Sequence, residues 1–190
     1  MRDYCADYAT RLTRLLDSFD WSAVETLGLA LQRCWRDGRQ FFIVGNGGSD
    51  GNALHMANDF LYGVGGGRMP GLKVHALGAN ASVLTCLAND LGYERVFSAQ
   101  LETLANPGDV LLALSGSGNS PNILRAIEMA THKQMQTFAI LGYGGGKAKA
   151  MVDTAIHFEV DDMQLAEDCQ LIVGHMLMRW LCAHPPEPRA

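Results

Sequence analysis

One stretch decides the fold class of this 190-residue chain: Val110-Leu111-Leu112-Ala113-Leu114-Ser115-Gly116-Ser117-Gly118-Asn119-Ser120. Five consecutive apolar residues that end in a polar loop are typical of a strand buried on both faces. Helical sequence follows at about 121–132, with Ser120 placed as its N-cap and Pro121 at its first position. Strand, small-residue loop and helix in this order indicate one unit of a parallel α/β sheet.

The same unit recurs on both sides of this stretch. A strand at 41–44 ends in Gly45-Asn46-Gly47-Gly48-Ser49, and a helix is predicted over 50–62. Repeated alternation of strands and helices predicts a five-stranded parallel sheet flanked by helices, which is a three-layer α/β fold. The other predicted strands cover 73–77, 110–114, 137–141 and 155–160, and the other predicted helices cover about 80–89, 93–105, 121–132 and 164–183.

The two ends of the chain are predicted to join the same single domain, 1–190. Two leading helices fit within 1–37, and Ser22 with Glu25 predicts a capping box at the start of the second helix. The closing helix is expected at 164–183. Residues 184–190 contain three prolines and are expected to fray.

Composition excludes several functional classes. Apolar residues make up 48% and charged residues 18%, which is typical of a globular protein. The net charge of −5 gives no general attraction to nucleic acid or to an anionic membrane. The N-terminal stretch has no apolar signal-peptide core, and no apolar run approaches the roughly 18 residues of a membrane span. Five scattered cysteines without a CxxC pair indicate reduced thiols and a cytoplasmic location.

The loops 45–49 and 115–120 are candidates for anion binding. Ligands of open parallel sheets bind beyond the carboxyl ends of the strands, where both loops fall. Glycines let the backbone approach an anion, and serine hydroxyls with helix N–H groups bind phosphate oxygens. A capped turn without a ligand is the alternative. The chain carries neither the Walker motif nor the GxGxxG dinucleotide fingerprint.

Titratable side chains mark two helices. His55 and Asp59 lie four residues apart and therefore on one helix face. They fit a shared divalent metal, an acid/base pair or a surface hydrogen bond. Glu167, Asp168 and His175 interrupt the apolar closing helix. Acidic groups in a first turn are ordinary partners of the helix dipole, and a histidine in an apolar helix is ordinarily a core residue.

Four motifs in order resemble the SIS (sugar isomerase) family, and within it the phosphoheptose isomerases. The motifs are Gly45-Asn46-Gly47-Gly48-Ser49, then His55, then Asn89-Asp90, then Ser115-Gly116-Ser117-Gly118-Asn119-Ser120. The likeness extends over nearly the whole chain. It implies a five-stranded parallel sheet, in agreement with the prediction above. It also implies substrate-binding residues at Asn46, Gly47, Gly48, Ser49, Asp59, Asn89, Asp90, Ser115, Gly116, Ser117, Ser120 and Glu167.

The resemblance further implies one zinc ion per subunit, with His55, Asp59, Glu167 and His175 as ligands. Two of these depart from the family pattern, because Asp59 stands where the family has Glu and Glu167 where it has Gln. Glu167 and His175 are eight positions apart, or about 12 Å along a helix. Either the helix begins after Glu167, or the two ligands come from different subunits. A homotetramer with sites at its subunit interfaces is therefore expected.

The activity that the resemblance implies is conversion of sedoheptulose 7-phosphate to D-glycero-D-manno-heptose 7-phosphate for lipopolysaccharide biosynthesis. Asp59 and His175 are the expected catalytic residues, because the reaction moves protons between adjacent carbons and between their oxygens. Two alternatives stay open. One is a non-catalytic SIS adaptor that binds a replication initiator protein, and the other is an isomerase of another phosphosugar.

Overall fold

Buried strands and amphipathic helices alternate along the chain in the computed structural model, which describes residues 1–186. Single 3₁₀ turns lie at Gly63–Gly65 and Tyr93–Arg95. The strands are β1 (Gln40–Val44), β2 (Lys73–Ala76), β3 (Val110–Ser115), β4 (Gln136–Leu141) and β5 (Thr154–His157). The helices are α1 (Arg2–Asp17), α2 (Ser22–Arg36), α3 (Gly48–Leu61), α4 (Ala81–Leu91), α5 (Ser98–Leu104), α6 (Pro121–His132), α7 (Ala148–Met151) and α8 (Met163–Ala183).

The five strands form one parallel sheet in the order β2-β1-β3-β4-β5, which confirms the predicted fold class. The chain leaves β1 toward β2 on one side and later returns to β3 on the other side. This reversal places the carboxyl ends of β1 and β3 next to each other, where open α/β sheets bind their ligands. The loops that follow these two strands are the predicted anion-binding loops.

Alternate residues of β3 pack into two separate hydrophobic cores, because successive side chains of a strand point to opposite faces of the sheet. Val110, Leu112 and Leu114 pack in the core that α2, α3 and α8 cover. Leu111 and Ala113 pack in the core beneath α4, α5, α6 and α7. All five are almost completely buried, as expected for a strand that reads as a continuous apolar run.

Three sequence predictions differ from the structure. The capping box is wrong: Ser22 is already helical, and the Asp20 carboxylate accepts hydrogen bonds from its N–H and hydroxyl, both at 3.0 Å. The helix expected over 93–105 is divided into the turn Tyr93–Arg95 and the short helix α5. The last strand ends at His157 rather than at 160. In the first case, Asp20 accepts the Ser22 N–H that the Glu25 side chain would accept in a capping box, and the Glu25 N–H donates to the Trp21 carbonyl at 3.0 Å instead of to the Ser22 hydroxyl.

Helix α8 is continuous from Met163 to Ala183, with the Asp162 carboxylate as its cap. The option that the helix begins after Glu167 is therefore wrong. Pro185 and Pro186 follow its end outside any helix, whereas residues 187–190 of the predicted frayed tail lie outside the described residues. Within the described part of the chain, no helix is both long enough and apolar enough to cross a membrane.

Helix α1 contains no buried residue and is tied to the start of α8 by two polar contacts. Tyr8 donates to Asp168 at 2.6 Å, and Arg11 pairs with Asp162 at 2.7 Å. Burial and the Asp168 carboxylate raise the pKa of Tyr8, whereas the hydrogen bond from Arg11 lowers the pKa of Asp162. Asp168, predicted as a dipole partner, thus serves to anchor α1.

Candidate active site

Helices α3 and α8 run side by side in the same direction and carry all four predicted metal ligands. Gly48 lies near Glu167 at the start of this α3–α8 seam, and His55 lies near His175 two turns further on. Gly174 allows the close approach, since a methyl group there would lie 2.8 Å from the Cε atom of Met56. The seam therefore aligns two rows of functional side chains.

Two histidines and one carboxylate converge across this seam. His55 Nε2 and His175 Nε2 are 3.0 Å apart. Asp59 Oδ2 lies 3.5 Å from His55 Nε2 and 3.8 Å from His175 Nε2. Nearly half of each imidazole side chain (48%) is exposed, so the triad is open to a ligand. The interpretation of His175 as an ordinary core histidine is therefore wrong.

The triad has the donor set of a metal site. Its three ligand atoms lie within 4.8 Å of one another. Two imidazole nitrogens and one carboxylate oxygen are the protein ligands found in catalytic zinc sites that keep one position open for water or substrate. The shorter Asp59 side chain still reaches both rings, although the resemblance places a longer Glu at this position. The three side chains are compatible with a bound metal ion.

Glu167 does not join the triad within one chain. Its side chain points to the beginning of α3, where Oε1 lies 3.5 Å from Ser49 Oγ. A methyl group on Gly48 would collide with both carboxylate oxygens. The continuous helix holds Glu167 and His175 about 12 Å apart, as the eight-residue spacing requires.

The two small-residue loops and Glu167 enclose one pocket of about 300 Å³. It lies at the carboxyl ends of β1 and β3, and the helices α3 and α6 both begin at its wall. The pocket brings together most of the predicted substrate-binding residues. Its lining is Asn46, Gly47, Gly48, Ser49, Leu114, Ser115, Gly116, Ser117, Ser120, Met163 and Glu167.

The three serines of the second loop have different environments. Ser115 is buried, and its hydroxyl accepts a hydrogen bond from the Gly118 N–H at 3.0 Å, which shapes the loop. Ser117 is exposed and accepts from the Asn119 N–H at a longer 3.3 Å. Ser120 is the N-cap of α6 by position, yet its hydroxyl makes no capping bond. Ser117 and Ser120 therefore have hydroxyls available for a ligand.

A third glycine-rich segment, 142–148, supports the serine loop from behind. The Ala148 N–H donates to the Gly118 carbonyl at 3.0 Å, and the Lys147 N–H donates to Asn119 Oδ1 at 3.1 Å. Gly118 has a φ of +63°, and a methyl group there would collide with the Gly145 carbonyl. Only glycine fits at this crossing, so the shape of the serine loop is fixed before any ligand binds.

Comparison with known proteins matches this geometry. A sequence profile of the SIS domain matches residues 3–142. The chain is 35% identical over 179 residues to the phosphoheptose isomerase of Nitratidesulfovibrio vulgaris, covering 93% of this chain and 86% of that protein. It is 37% identical over 154 residues to the phosphoheptose isomerase of Trichlorobacter lovleyi, covering 81% and 78%. The chain belongs to the SIS domain family.

Solved structures agree with this assignment. The phosphoheptose isomerase GmhA from Neisseria gonorrhoeae superimposes with a TM-score of 0.87 at 25% identity, covering 96% of this chain and 98% of that one. The agreement over nearly the full length of both chains includes the leading helices and the closing helix. That residues 1–190 form a single SIS domain stays a prediction.

Asn46, which lines the SIS pocket, forms a reciprocal pair with Asn122 of α6, a residue that the sequence analysis missed. Asn46 donates to Asn122 Oδ1 at 2.9 Å, and Asn122 donates to Asn46 Oδ1 at 2.7 Å. Tyr93 adds a third bond to Asn46 Oδ1 at 3.0 Å. Asn122 is almost completely buried, which costs free energy unless it is paired. The sequence signal for this pair was the amide side chain of Asn122, which directly follows Ser120-Pro121 at the start of α6.

A second polar pair that the sequence analysis missed holds the seam. Asn52 donates to the Glu167 carbonyl at 2.9 Å and to Gln170 Oε1 at 3.0 Å. Gln170 is buried and donates to Ser49 Oγ at 3.1 Å. A glutamine on the apolar side of α8 was the sequence signal, because buried amides are retained only where they are paired. These bonds fix Glu167 and Ser49 relative to each other.

Asn89 and Asp90 lie apart from the pocket lining of this SIS domain. Both are exposed near the end of α4, where Asn89 donates to Asp90 Oδ1 at 2.8 Å. Tyr93, which follows them, is the residue of this segment that reaches Asn46. The sugar contacts expected of Asn89 and Asp90 stay a prediction.

Asp50 is a further carboxylate beside the pocket. It lies in the first turn of α3 against Gly78, and its buried Oδ1 has no hydrogen-bond partner among the described residues. Burial raises the pKa of this carboxyl. The protonated form of Asp50 therefore persists to a higher pH than that of an exposed aspartate.

Proposed function

We propose that this SIS domain is a cytoplasmic aldose–ketose isomerase that converts sedoheptulose 7-phosphate to D-glycero-D-manno-heptose 7-phosphate. One observation carries the proposal: an anion pocket and a His–Asp–His triad lie along the same α3–α8 seam. An isomerase of a phosphosugar needs both a phosphate anchor and proton-transfer groups. The names of its relatives in two bacterial species support the heptose phosphate as substrate.

The proposed substrate lies along the seam with its phosphate in the serine loop. Ser117 and Ser120 bind the phosphate through their hydroxyls at the positively polarised N-terminus of α6. The sugar hydroxyls face Asn46 and Glu167, and the reacting end extends toward the triad. Ser49 and His55 are six residues apart on α3, or about 9 Å along the helix. Anchoring the phosphate fixes the position of the reacting carbons.

Proton transfer is assigned to Asp59 and His175. Asp59 removes the proton from the hydroxyl-bearing C1 of the ketose and returns it at C2, so that an enediol is formed and consumed. The Oδ2 atom of Asp59 faces the two imidazoles. Its Oδ1 atom accepts a hydrogen bond from the side-chain amide of Asn58 at 3.4 Å. His175 handles the protons of the two substrate oxygens. The carbonyl thereby moves from C2 to C1 without a net change in atoms or electrons.

A zinc ion is proposed at the triad, held by His55, Asp59 and His175. When bound, it would polarise the carbonyl and hydroxyl oxygens of the substrate as a Lewis acid. The protein contributes a fixed carboxylate and two imidazoles that must be neutral to bind metal. Glu167 as a further ligand, supplied by a neighbouring subunit, stays a prediction.

A homotetramer is proposed for the assembled enzyme. Helix α1 has no buried residue in a single chain, although Leu12, Leu15 and Leu16 pack partly against the core. A groove of about 420 Å³ between α2 and α8 has Leu29 and Met176 exposed along it. Contact with further copies of the chain would bury both apolar features.

The proposed reaction is tested by incubating zinc-loaded protein with sedoheptulose 7-phosphate in deuterated water. We expect turnover at about 1–10³ s⁻¹ and incorporation of solvent deuterium at C2 of the aldose. Fructose 6-phosphate and ribulose 5-phosphate serve as control substrates. Faster turnover of either control would favour an isomerase of another phosphosugar. Absence of turnover and of exchange with all three would favour the adaptor.

The proposed metal is tested by elemental analysis of His55→Ala. We expect about one zinc per wild-type subunit and a loss of metal affinity of more than about 100-fold in the variant, since losing only a partner of a ligand already costs 10- to 100-fold. His132→Ala, an exposed histidine of α6, is the matched control and is expected to retain zinc. Full activity of metal-free protein would contradict the role.

A further inference from the structure

The side-chain amide of Asn122 has a fixed orientation, because one of its partners is a backbone N–H. Its Oδ1 accepts a hydrogen bond from the Ile123 N–H at 3.0 Å. A backbone N–H can only donate, so the amide atom that faces it must be the oxygen and not the nitrogen. The amide nitrogen of Asn122 is therefore the atom that donates to Asn46 Oδ1, at 2.7 Å. Asn122 is almost completely buried, so water offers it no alternative partners.

This direction of bonding also determines what Asn46 offers to a ligand. Its Oδ1 accepts from Asn122 and from the Tyr93 hydroxyl, at 2.7 and 3.0 Å, and these two bonds occupy both lone pairs of the carbonyl oxygen. One amide hydrogen of Asn46 is donated to Asn122 Oδ1 at 2.9 Å. Within the part of the chain that the structure describes, the second amide hydrogen is left without a partner. Asn46 lines the pocket, so it meets a ligand as a hydrogen-bond donor.

The main chain on both sides of Asn46 is fixed as well. A methyl group on Gly45 would lie 2.6 Å from the carbonyl carbon of Ser49. Gly47 has a φ of +57°, a conformation that residues with a side chain rarely adopt. Asn46 therefore has little freedom to turn its amide toward a ligand of the opposite polarity.

We propose that Asn122 and Tyr93 are positioning residues, which hold Asn46 as a hydrogen-bond donor to a hydroxyl oxygen of the substrate. The inference rests on the proposed function for the sugar that occupies the pocket. A sugar hydroxyl both donates and accepts, and one that accepts from Asn46 must turn its own hydrogen toward another acceptor. The pair thus sets the direction in which the hydroxyl bonds. An asparagine without these partners could turn its amide over and bind the hydroxyl in either direction.

Calorimetric titration of Tyr93→Phe tests the inference with sedoheptulose 7-phosphate and inorganic phosphate as probes. We expect the dissociation constant of the sugar phosphate to rise by about 3- to 10-fold, the effect of one neutral hydrogen bond. The dissociation constant of inorganic phosphate is expected to change by less than about 1.5-fold, because Asn46 faces the sugar. Tyr93 is 58% exposed, so the variant is expected to fold normally. Tyr4→Phe, at an exposed tyrosine of α1, is the matched control and is expected to match wild type.

A double-mutant cycle separates positioning from direct contact with the sugar. Asn46→Ala removes the donor itself and is expected to weaken sugar binding by about tenfold. In the Asn46→Ala background, Tyr93→Phe is expected to change the affinity by less than about 1.5-fold, because Tyr93 acts through Asn46. Asn122→Ala is expected to behave in the same way, weakening sugar binding when Asn46 is present and not when it is absent. The Ile123 N–H keeps the Ser120 carbonyl as a partner in that variant, at 3.0 Å.

The possible results distinguish the inference from the proposed function. Unchanged sugar binding in Tyr93→Phe, or losses that add fully to that of Asn46→Ala, would overturn positioning through Asn46. An equal loss of affinity for inorganic phosphate would place Asn46 on the phosphate and overturn the inference as well. If wild type binds fructose 6-phosphate and not sedoheptulose 7-phosphate, the proposed substrate fails. The same selective loss measured with fructose 6-phosphate would then still support the two positioning residues, and binding of neither sugar would overturn both.

Discussion

Asp59→Asn is expected to lower the turnover of sedoheptulose 7-phosphate by about 10²- to 10⁴-fold while leaving the fold and phosphate binding intact. An amide cannot take up the carbon proton, and general base catalysis typically contributes a factor of this size. The amide has the same shape as the carboxylate, so the substitution causes no steric conflict. The measurement is kcat together with the rate of deuterium exchange into the substrate in deuterated water.

Two further variants sharpen this test. Asp161→Asn makes the same change at an exposed position outside the seam and is expected to retain full activity. Asp59→Glu restores the residue that the resemblance implies. Because Asp59 Oδ2 already lies within 3.8 Å of both imidazoles, the backbone accommodates the shorter side chain, and Asp59→Glu is expected to stay within about 100-fold of wild type. Unchanged turnover in Asp59→Asn would remove Asp59 from the mechanism.

The parts of the fold that sequence predicts well are those set by local patterns. The continuous apolar run 110–114 predicts a central strand buried on both faces, and the structure has β3 there. Helix α6 begins at Pro121 and ends at His132 as predicted, because proline at the first helical position fixes the start. The capping box at Ser22 failed because the competing Asp20 carboxylate lies outside the motif.

The candidate site also has a part that local patterns predict and a part that depends on tertiary packing. His55 and Asp59 share a face through helix periodicity, so sequence alone places them together. Their meeting with His175 depends on how α3 packs on α8, and this is set by Gly174 and by the bond between Asn52 and the buried Gln170. Such contacts join residues about 120 positions apart. Periodicity carries no information about them, and the missed roles of Asn122 and Gln170 have the same origin.

The double variant Ser117→Ala with Ser120→Ala is expected to abolish the stabilisation of the protein by a phosphosugar. In wild type, sedoheptulose 7-phosphate at about 100 times its dissociation constant stabilises the fold by about 2.7 kcal/mol, which raises the melting temperature by about 5–10 °C. Each hydrogen bond to a charged group contributes about 1.5–3 kcal/mol. Losing two of them weakens binding by at least about 100-fold and removes the shift at the same ligand concentration.

The environments of the serines make this variant specific for binding. Ser115, which shapes the loop by accepting from the Gly118 N–H, is left in place, and the 142–148 segment continues to support the loop. The ligand-free melting temperature is therefore expected to change little. Thr103→Ala, which removes an exposed hydroxyl from α5, is the control and should keep the full shift. If the double variant also keeps the full shift, the phosphate does not bind through these hydroxyls, and the anchor that positions the reacting carbons must lie elsewhere.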